Sequence, residues 1–264
     1  MSFYQIINHI VEVKLFNPSK QTKLTHWTSF AKPVACKADF QIEFVDPIEV
    51  SRDVNFFRGP SFENLMFAGN AMMCADKSYK NAYVFHGNNA DAFEIFSAYL
   101  FYTHAVRNQS LWIHSATINV DGRGILFIGP SGIGKTTQAE CWAQYRNAEI
   151  INGDVGYVQR TEKGYFAWGT PWHGSSPYCI NTSVPLKALV VLKQSPSNSL
   201  RELTGFEKVM EVSESVLYPT WIEDGVELCV DTLNQFLLDL PVYRLDNCAD
   251  EKAVELLEIE LNKL

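Results

Sequence analysis

Hydrophobic and polar residues alternate in short runs through the first third of the chain. The stretch DFQIEFV, residues 39–45, places Phe40, Ile42 and Phe44 on one face, which is the pattern of a half-buried strand. Other short apolar runs are spread over residues 1–88. We therefore expect a β-rich N-terminal region there, packed on a core that residues 89–264 form.

A helical period replaces this alternation at residues 88–106, NNADAFEIFSAYLFYTHAV. Phe93, Phe96 and Leu100 recur at intervals of three and four residues, which predicts a helix. Asn88 or Asn89 can cap it, because an asparagine side chain accepts hydrogen bonds from the first N–H groups of a helix.

From residue 110 onward, predicted strands alternate with predicted helices. LWIHSATINV and GILFIG flank Asp121-Gly122, a strong signal for a two-residue hairpin turn. The other predicted elements are a helix over about 135–147, the strands AEIINGD, GYVQR, YFAWG and LKALVVLKQ, amphipathic stretches near 206–217 and 231–240, a last strand VYRLD, and a closing helix capped by Asn247. This alternation indicates the α/β class, with a mixed sheet covered by helices.

Composition and charge narrow the classes of partner. Hydrophobic residues make up 47% of the 264 residues and aromatic residues 13%, which is typical of a folded protein with a sizeable core. The chain has 22 Lys and Arg residues against 30 Asp and Glu residues, a net charge of −8. Such a surface repels phosphate backbones and anionic lipid, so we expect neither a nucleic-acid partner nor a membrane partner.

The N-terminal sequence and the cysteines indicate the cellular compartment. The N-terminus has no basic stretch ahead of an apolar block, and no apolar run approaches the roughly 18–20 residues of a membrane span. The six cysteines include no CxxC pair, so metal-ligand spacing is absent. We expect a cytoplasmic protein with reduced, mostly buried thiols.

The strongest chemical signal is the stretch FIGPSGIGKTTQAECW, residues 127–142. It fits the pattern G-x-x-x-x-G-K-[ST] of a P-loop, in which backbone N–H groups converge on phosphate oxygens. In that pattern Lys135 reaches the β- and γ-phosphates and the Thr136 hydroxyl binds Mg²⁺. The alternative is a glycine-rich turn that fits by chance. The residues expected to contact a nucleotide are Gly129, Pro130, Ser131, Gly132, Ile133, Gly134, Lys135, Thr136 and Thr137.

An acid and a histidine are expected at the same edge of the sheet. The crossover after the loop returns the chain parallel to its start, so the strand EIINGD ends beside the loop with Asp154. Asp154 can hold Mg²⁺ or accept a proton, or it can cap a turn. Counting outward from the hairpin turn brings His114 opposite Gly129. His114 can orient an acid or stabilise phosphoryl oxygens, or it can be a core histidine.

Weaker candidates lie further along the chain. His173 and Ser175 belong to GTPWHGSSP, residues 169–177, a composition that often lines sites but also simply turns corners. Arg160, Lys163 and Arg201 can each supply a cation to a transition state. Their spacing does not choose among them, and exposed basic residues are usually solvated.

At these residues the chain resembles a known family. IHSATINVDGRGILFIGPSGIGKTTQAE followed by AEIINGDVGYV is similar to the catalytic core of bacterial HPr kinase/phosphorylase, a core shared by phosphoenolpyruvate carboxykinase and by serine kinases that act on peptides. His114 matches the histidine of the family, Gly129 to Thr136 its loop, and Asp154 the second of its paired acids. The resemblance implies ATP- and Mg²⁺-dependent phosphorylation of a hydroxyl, often a serine of a protein or peptide.

Two departures separate the chain from that family. Gly153-Asp154 stands where the family has two acids, and we find no Ile-Arg-Gly run preceded by Glu. In HPr kinase/phosphorylase this later region is tied to the removal of phosphate. The departures favour a diverged kinase over HPr kinase/phosphorylase itself.

Three functions follow from these observations. In the first, a kinase, Asp154, His114 and Lys135 are catalytic, Thr136 and Asp154 hold Mg²⁺, and the acceptor is a protein or peptide. In the second, a nucleotide-sensing protein binds ATP without transferring phosphate, which the missing acid favours. The third is a carboxykinase-like lyase, which needs further metal ligands and anion-binding arginines that the sequence does not cluster. The sequence specifies neither the acceptor nor ATP over GTP, and it is compatible with a homo-oligomer.

Overall fold

The structure is a computed structural model that describes residues 2–15, 18–34, 36–45, 62–87 and 89–264. It divides into two compact units, Met1–His104 and Ala105–Leu264. The sequence predicts a boundary at residue 88. The helix that follows residue 88 is grouped with the first unit.

The first unit is rich in strands, as its hydrophobic pattern predicts. Its strands are β1 (Ser2–Ile6), β2 (His9–Leu15), β3 (Ala31–Lys32), β4 (Phe40–Val45), β5 (Asn64–Ala68), β6 (Ala71–Ala75) and β7 (Asn81–Phe85), and a 3-10 helix covers Pro18–Phe30. They form one seven-stranded sheet in the order β3-β1-β2-β4-β7-β6-β5. Strand β4 buries Phe40, Ile42 and Phe44, so the predicted alternating strand is confirmed.

Helix α1 (Ala92–Ala105) supplies aromatic side chains to the core of this unit. The Phe93 ring lies 4.7 Å from the Phe44 ring and 5.2 Å from the Trp27 ring, measured between centroids. Of the two predicted caps, Asn88 lies outside the described residues. Asn89 Oδ1 accepts a hydrogen bond from the Asp91 N–H at 2.9 Å, in the turn that precedes the helix.

The second unit alternates strands and helices, and the mixed α/β fold expected from the sequence is confirmed. Its strands are β8 (Ser110–Val120), β9 (Arg123–Ile128), β10 (Glu149–Asn152), β11 (Val155–Thr161), β12 (Gly164–Trp168), β13 (Ser183–Gln194), β14 (Ser199–Glu202) and β15 (Val242–Asn247). Its helices are α2 (Lys135–Arg146), α3 (Gly205–Ser213), α4 (Gly225–Asp239) and α5 (Glu251–Leu261), with a 3-10 turn at Val106–Asn108.

The hairpin of β8 and β9 has the predicted turn and register. Asp121 and Gly122 both have positive φ angles, 50° and 78°, as a two-residue hairpin turn requires. Pairing runs from Val120 opposite Arg123 to Ser115 opposite Ile128. The next position outward on β8 is His114, and the next on β9 is Gly129.

Long strands β8 and β13 each pair with several neighbours. Strand β8 pairs with β11 along its first half and with β9 and β10 along its second half. Strand β13 pairs in turn with β12, β9 and β15. Strands β9, β13 and β15 are parallel, and β10 runs in the same direction because both β9 and β10 are antiparallel to β8. The carboxyl ends of all four strands therefore point toward one edge of the sheet.

Helices α2 and α5 belong to one hydrophobic cluster with this sheet. Trp142 of α2 and Leu257 of α5 are fully buried in the same cluster as Phe127 of β9 and Val190 of β13. Burying side chains of this size contributes about 1.5–3 kcal/mol each. The cluster therefore fixes α2, and with it the loop between β9 and α2, against the sheet.

The prediction that Asn247 caps the closing helix is wrong. Asp250 is the cap, since its Oδ1 accepts a hydrogen bond from the Ala253 N–H at 3.0 Å. Asn247 is the last residue of β15, where its Oδ1 accepts from the Ala249 N–H at 2.9 Å. Both residues are good cap formers, and the extent of β15 decides between them.

Two further features concern the chain as a whole. None of the helices in the described part of the chain has the length and apolar character required to traverse a bilayer. All six cysteines lie within the described ranges; none of them forms a disulfide, and three are buried.

Candidate functional site

A glycine-rich loop joins the carboxyl end of β9 to the N-terminus of α2. Its glycines Gly129, Gly132 and Gly134 have φ angles of 137°, 77° and 107°, a range that side chains rarely adopt. The helix begins directly behind the loop, and the Gln138 N–H donates to the Gly134 carbonyl at 2.8 Å. The first N–H groups of a helix lack intrahelical acceptors and carry the positive end of its dipole. This arrangement suits an anion such as phosphate.

Lys135 is folded back onto this loop. Its Nζ donates to the carbonyl oxygens of Gly129 at 3.0 Å and Pro130 at 3.2 Å, and the residue is only 7% exposed. Burial lowers the pKa of the Lys135 ammonium, and the negative charge of Asp154 opposes this shift by raising it. The charge is thus poorly solvated and would gain from an anion bound at the loop.

His114 and Asp154 face each other across two paired strands. Strand β11 pairs with β8 so that Val155 lies opposite His114, and the Ser115 N–H donates to the Asp154 carbonyl at 3.0 Å. The His114 Nε2 then donates to the Asp154 Oδ1 at 3.1 Å. The two side chains are 41% and 37% exposed. The pair is therefore held by the backbone and still open to a reactant.

Thr136 links the start of α2 to the turn that carries Asp154. Its Oγ1 donates to the Gly153 carbonyl at 3.3 Å. One hydroxyl and one carboxylate at a phosphate site fit Mg²⁺, which is bound in proteins by one or two carboxylates together with substrate phosphates. Within the described ranges, no group of three or more His, Cys, Asp or Glu side chains is arranged to hold a metal ion. Thr136 and Asp154 are the groups in the cleft that could hold Mg²⁺.

Asn152 is a positioning residue that the sequence analysis missed. It is fully buried, and its Oδ1 accepts from the N–H groups of Asp154 and Val155, both at 2.9 Å. Its Nδ2 donates to the carbonyls of Trp172 at 2.9 Å and Thr170 at 3.1 Å. The side chain therefore fixes the turn that carries Asp154. The available signal was the Asn-Gly-Asp sequence, which is typical of a tight turn.

Residues 170–177, which we call the strap, cover one side of Asp154. Gly174 of the strap has a φ of +57°, and a Cβ atom there would lie 2.6 Å from the Asp154 Oδ2. A Cβ atom on Gly153 would overlap the Ser176 Oγ and lie 2.5 Å from the Ser176 Cβ. Inside the strap, the Ser176 N–H donates to the His173 carbonyl at 3.0 Å. A side chain at position 153 is therefore excluded while the strap keeps this position.

These groups line one cleft of about 400 Å³. The lining residues are His114, Ser131, Gly132, Gly134, Lys135, Thr136, Thr137, Gly153, Asp154, Ser175, Ser176 and Pro177. The structure thus brings together the predicted acid, histidine, lysine and threonine, together with Ser175 from the weaker candidates.

Other sequence candidates lie outside this lining. Arg160 and Lys163 are on the β11–β12 hairpin, and Arg201 on β14 is paired with Glu207. His173 bonds within the strap through its Nδ1 to the Ser176 carbonyl. Among the described residues, Lys135 is the one Lys or Arg that lines the cleft.

Comparison with known proteins identifies the family of the chain. No curated protein matches the chain. A solved structure, the Hpr(Ser) kinase/phosphatase from Coxiella burnetii, is 10% identical with a TM-score of 0.37, and the alignment covers 58% of this chain and 91% of that chain. At this TM-score the likeness supports no argument about fold or activity. Residues 91–229 match the family described as SynChlorMet cassette protein ScmC, which is more than half of the 264 residues. The chain belongs to the ScmC family.

Proposed function

We propose that this member of the ScmC family is a cytoplasmic ATP- and Mg²⁺-dependent kinase that transfers the γ-phosphate to a hydroxyl, of the serine type, on a protein or peptide. The observation that carries the proposal is the convergence of Lys135 with the hydrogen-bonded pair of His114 and Asp154 in one cleft. Phosphoryl transfer depends mainly on positioning and on electrostatic stabilisation. A phosphate-binding loop, a buried cation and a polarised carboxylate supply both.

The P-loop binds the triphosphate. The N–H groups of residues 131–137 and the dipole of α2 favour the phosphate oxygens. The Lys135 ammonium exchanges its backbone carbonyl partners for phosphate, which offsets the desolvation that lowers its pKa. Lys135 therefore contributes chiefly to holding the β- and γ-phosphates.

Thr136 and Asp154 would hold Mg²⁺, and bound Mg²⁺ neutralises charge on the phosphate oxygens. The other role of Asp154 is to accept the proton of the acceptor hydroxyl. The hydroxyl oxygen then forms a bond to the γ-phosphorus, the bond from that phosphorus to the β–γ bridging oxygen breaks, and ADP leaves. His114 orients the carboxylate through its hydrogen bond to Oδ1.

The description of the family indicates where to look for the acceptor. It names a cassette, so proteins encoded in the same cassette are the first acceptors to test. The half-exposed side chains of His114 and Asp154 leave room for an acceptor hydroxyl.

A second candidate function, nucleotide sensing without transfer, is favoured by one observation. The space beside Gly153 that a second acid would need is taken by Ser176. A site with one carboxylate can bind MgATP without transferring phosphate. Binding would then be communicated to a partner through the strap. This alternative predicts ATP-dependent association with a partner and no turnover.

The two functions separate in a labelling experiment. Purified protein is incubated with [γ-³²P]ATP, Mg²⁺ and the cassette-encoded proteins, and ATP affinity is measured in parallel by calorimetry. We expect labelled acceptor from the wild type and a loss of about a hundredfold or more in Lys135→Ala, by analogy with removal of one preorganised donor. Lys163→Ala, a lysine in the exposed β11–β12 turn, is the matched control and should retain labelling. ATP binding without any labelling would refute the kinase and favour the sensor.

A further inference from the structure

A second cavity, of about 500 Å³, adjoins the cleft at the same edge of the sheet. Gly134 and Thr137 line both spaces. The cavity lies beyond the carboxyl ends of the parallel strands β13 and β15, next to the end of β9. Open α/β sheets bind ligands at this edge. The size is within the range of small-molecule sites.

The walls of this cavity come from two loops that are tied together. Residues 194–196 end and follow β13, and residues 247–249 end and follow β15. The Ser195 N–H donates to the Asn247 carbonyl at 3.1 Å. Asn198 bonds the second loop twice, accepting from the Cys248 N–H at 2.9 Å and donating to the Asp250 Oδ1 at 2.7 Å. Hydrogen bonds from both the backbone and the Asn198 side chain therefore hold the two loops that form the cavity.

Its chemistry differs from that of the cleft. Of the described residues, those that line the cavity include no charged side chain, whereas Lys135, His114 and Asp154 line the cleft. The cavity offers apolar surface from Ile133 and Pro196 together with the side-chain amide of Gln194. Such walls suit a neutral, flat group with a few polar atoms rather than a phosphate.

We propose that this cavity binds the nucleoside part, base and ribose, of the triphosphate whose phosphates lie in the cleft. The proposal rests on the proposed function. Thr137 lines both spaces, so the α-phosphate and the ribose attached to it would lie beside this residue. An uncharged nucleoside matches the uncharged walls, and the parallel strands bring the two loops to the side of the P-loop opposite the strap.

Cys248 provides a footprint for the nucleoside. It is the exposed one of the six cysteines, all of which are described, and it lines the cavity. Alkylation by iodoacetamide is followed by peptide mass spectrometry with ATP, GTP or tripolyphosphate present. At ten times its Kd, ATP or GTP should slow Cys248 alkylation about tenfold, since about a tenth of the sites stay free. Tripolyphosphate, which lacks a nucleoside, should bind without slowing it. Cys36, in the first unit, is the internal control.

The outcomes distinguish this proposal from the proposed function. Lys135-dependent ATP binding without protection of Cys248 overturns the nucleoside site and leaves the phosphate site standing. Equal protection by tripolyphosphate also overturns it, because the phosphates alone would then close the cavity. If ATP does not bind in a Lys135-dependent manner, both proposals fall. The ratio of protection by ATP and GTP identifies the base.

A cavity-filling variant tests the same site by affinity. Cys248→Trp should weaken ATP binding by at least about tenfold, because the nucleoside loses its contact area, while tripolyphosphate affinity is retained. Lys163→Trp, which adds the same bulk in the exposed β11–β12 turn, should change neither. Equal ATP affinity in Cys248→Trp and the wild type would overturn the proposal.

Discussion

Replacing Asn152 by alanine removes the buried amide that positions Asp154. The substitution deletes five hydrogen bonds. Two are accepted from the N–H groups of Asp154 and Val155, and three are donated, to the carbonyls of Thr170 and Trp172 and to the Thr170 Oγ1. Both carbonyls keep another donor. The Cys179 Sγ donates to the Thr170 carbonyl at 3.2 Å, and the Thr170 Oγ1 donates to the Trp172 carbonyl at 3.3 Å. The two N–H groups lose their acceptor.

The expected loss of stability follows from these two N–H groups. A buried donor left without a partner costs about 1–3 kcal/mol. Val155 is buried and Asp154 is half exposed. The N–H group of Asp154 can therefore form a hydrogen bond to water, which offsets part of its cost. We expect Asn152→Ala to lower the free energy of unfolding by about 3 kcal/mol, in the lower half of the summed range of about 2–6 kcal/mol.

Urea denaturation followed by tryptophan fluorescence measures this loss. The matched control is Asn119→Ala, which removes one hydrogen bond, accepted from the Gly122 N–H at 2.9 Å in the exposed hairpin turn, and should cost about 0.5–1.5 kcal/mol. At the site, Asn152→Ala should lower kcat while ATP affinity is kept, because Lys135 and its loop are unchanged. A loss no larger than that of Asn119→Ala, or an unchanged kcat, would refute the positioning role.

Three further predictions concern other parts of the second unit. Gly153→Ala should destabilise the protein, because its Cβ would overlap Ser176, and Ser176→Gly should recover part of the loss; additive effects in a double-mutant cycle would contradict this. Burial, with a hydrogen bond to Asp239, raises the pKa of Tyr165 to about 12. The protonated Tyr165 hydroxyl therefore contributes fully to stability below pH 10.0, and this contribution is lost as pH rises through about 12. The Tm of Tyr165→Phe, measured by thermal unfolding, should therefore fall less than that of the wild type between pH 10.0 and about 12. Identical pH profiles of Tm in the two proteins would refute this prediction. Lys135→Met should leave the Tm of the free protein equal or higher, since burial disfavours the charge, and should abolish its increase with ATP; a lower Tm counts against the reasoning.

Local turn chemistry explains how much of the site was predictable. Asp121-Gly122 allows only one close register of β8 and β9, and that register carries His114 to the level of Gly129. The glycine-rich loop and the direction of β10 then bring Asp154 to the same edge. Each of these steps depends on residues close together in the sequence.

The rest depends on contacts between distant segments. The buried partners of Asn152 lie in the strap, so a hydrophobic pattern does not reveal them. The same holds for Ser176 against Gly153, and for the second cavity, whose walls follow strands far apart in the chain. The cap of α5 was missed for a related reason, because pairing with β13 extends β15 through Asn247 and leaves Asp250 to begin the helix.

The central claim is that the carboxylate of Asp154, held by His114, acts on a γ-phosphate bound at Lys135. The most direct measurement is the single-turnover rate of γ-phosphate transfer at saturating MgATP in the wild type and in Asp154→Asn, which keeps the size of the side chain and removes its charge. Loss of a positioned base should lower this rate by about 10²–10⁴-fold, with ATP still bound. Equal rates in the two proteins, or no transfer from a wild type that binds ATP, would contradict the account.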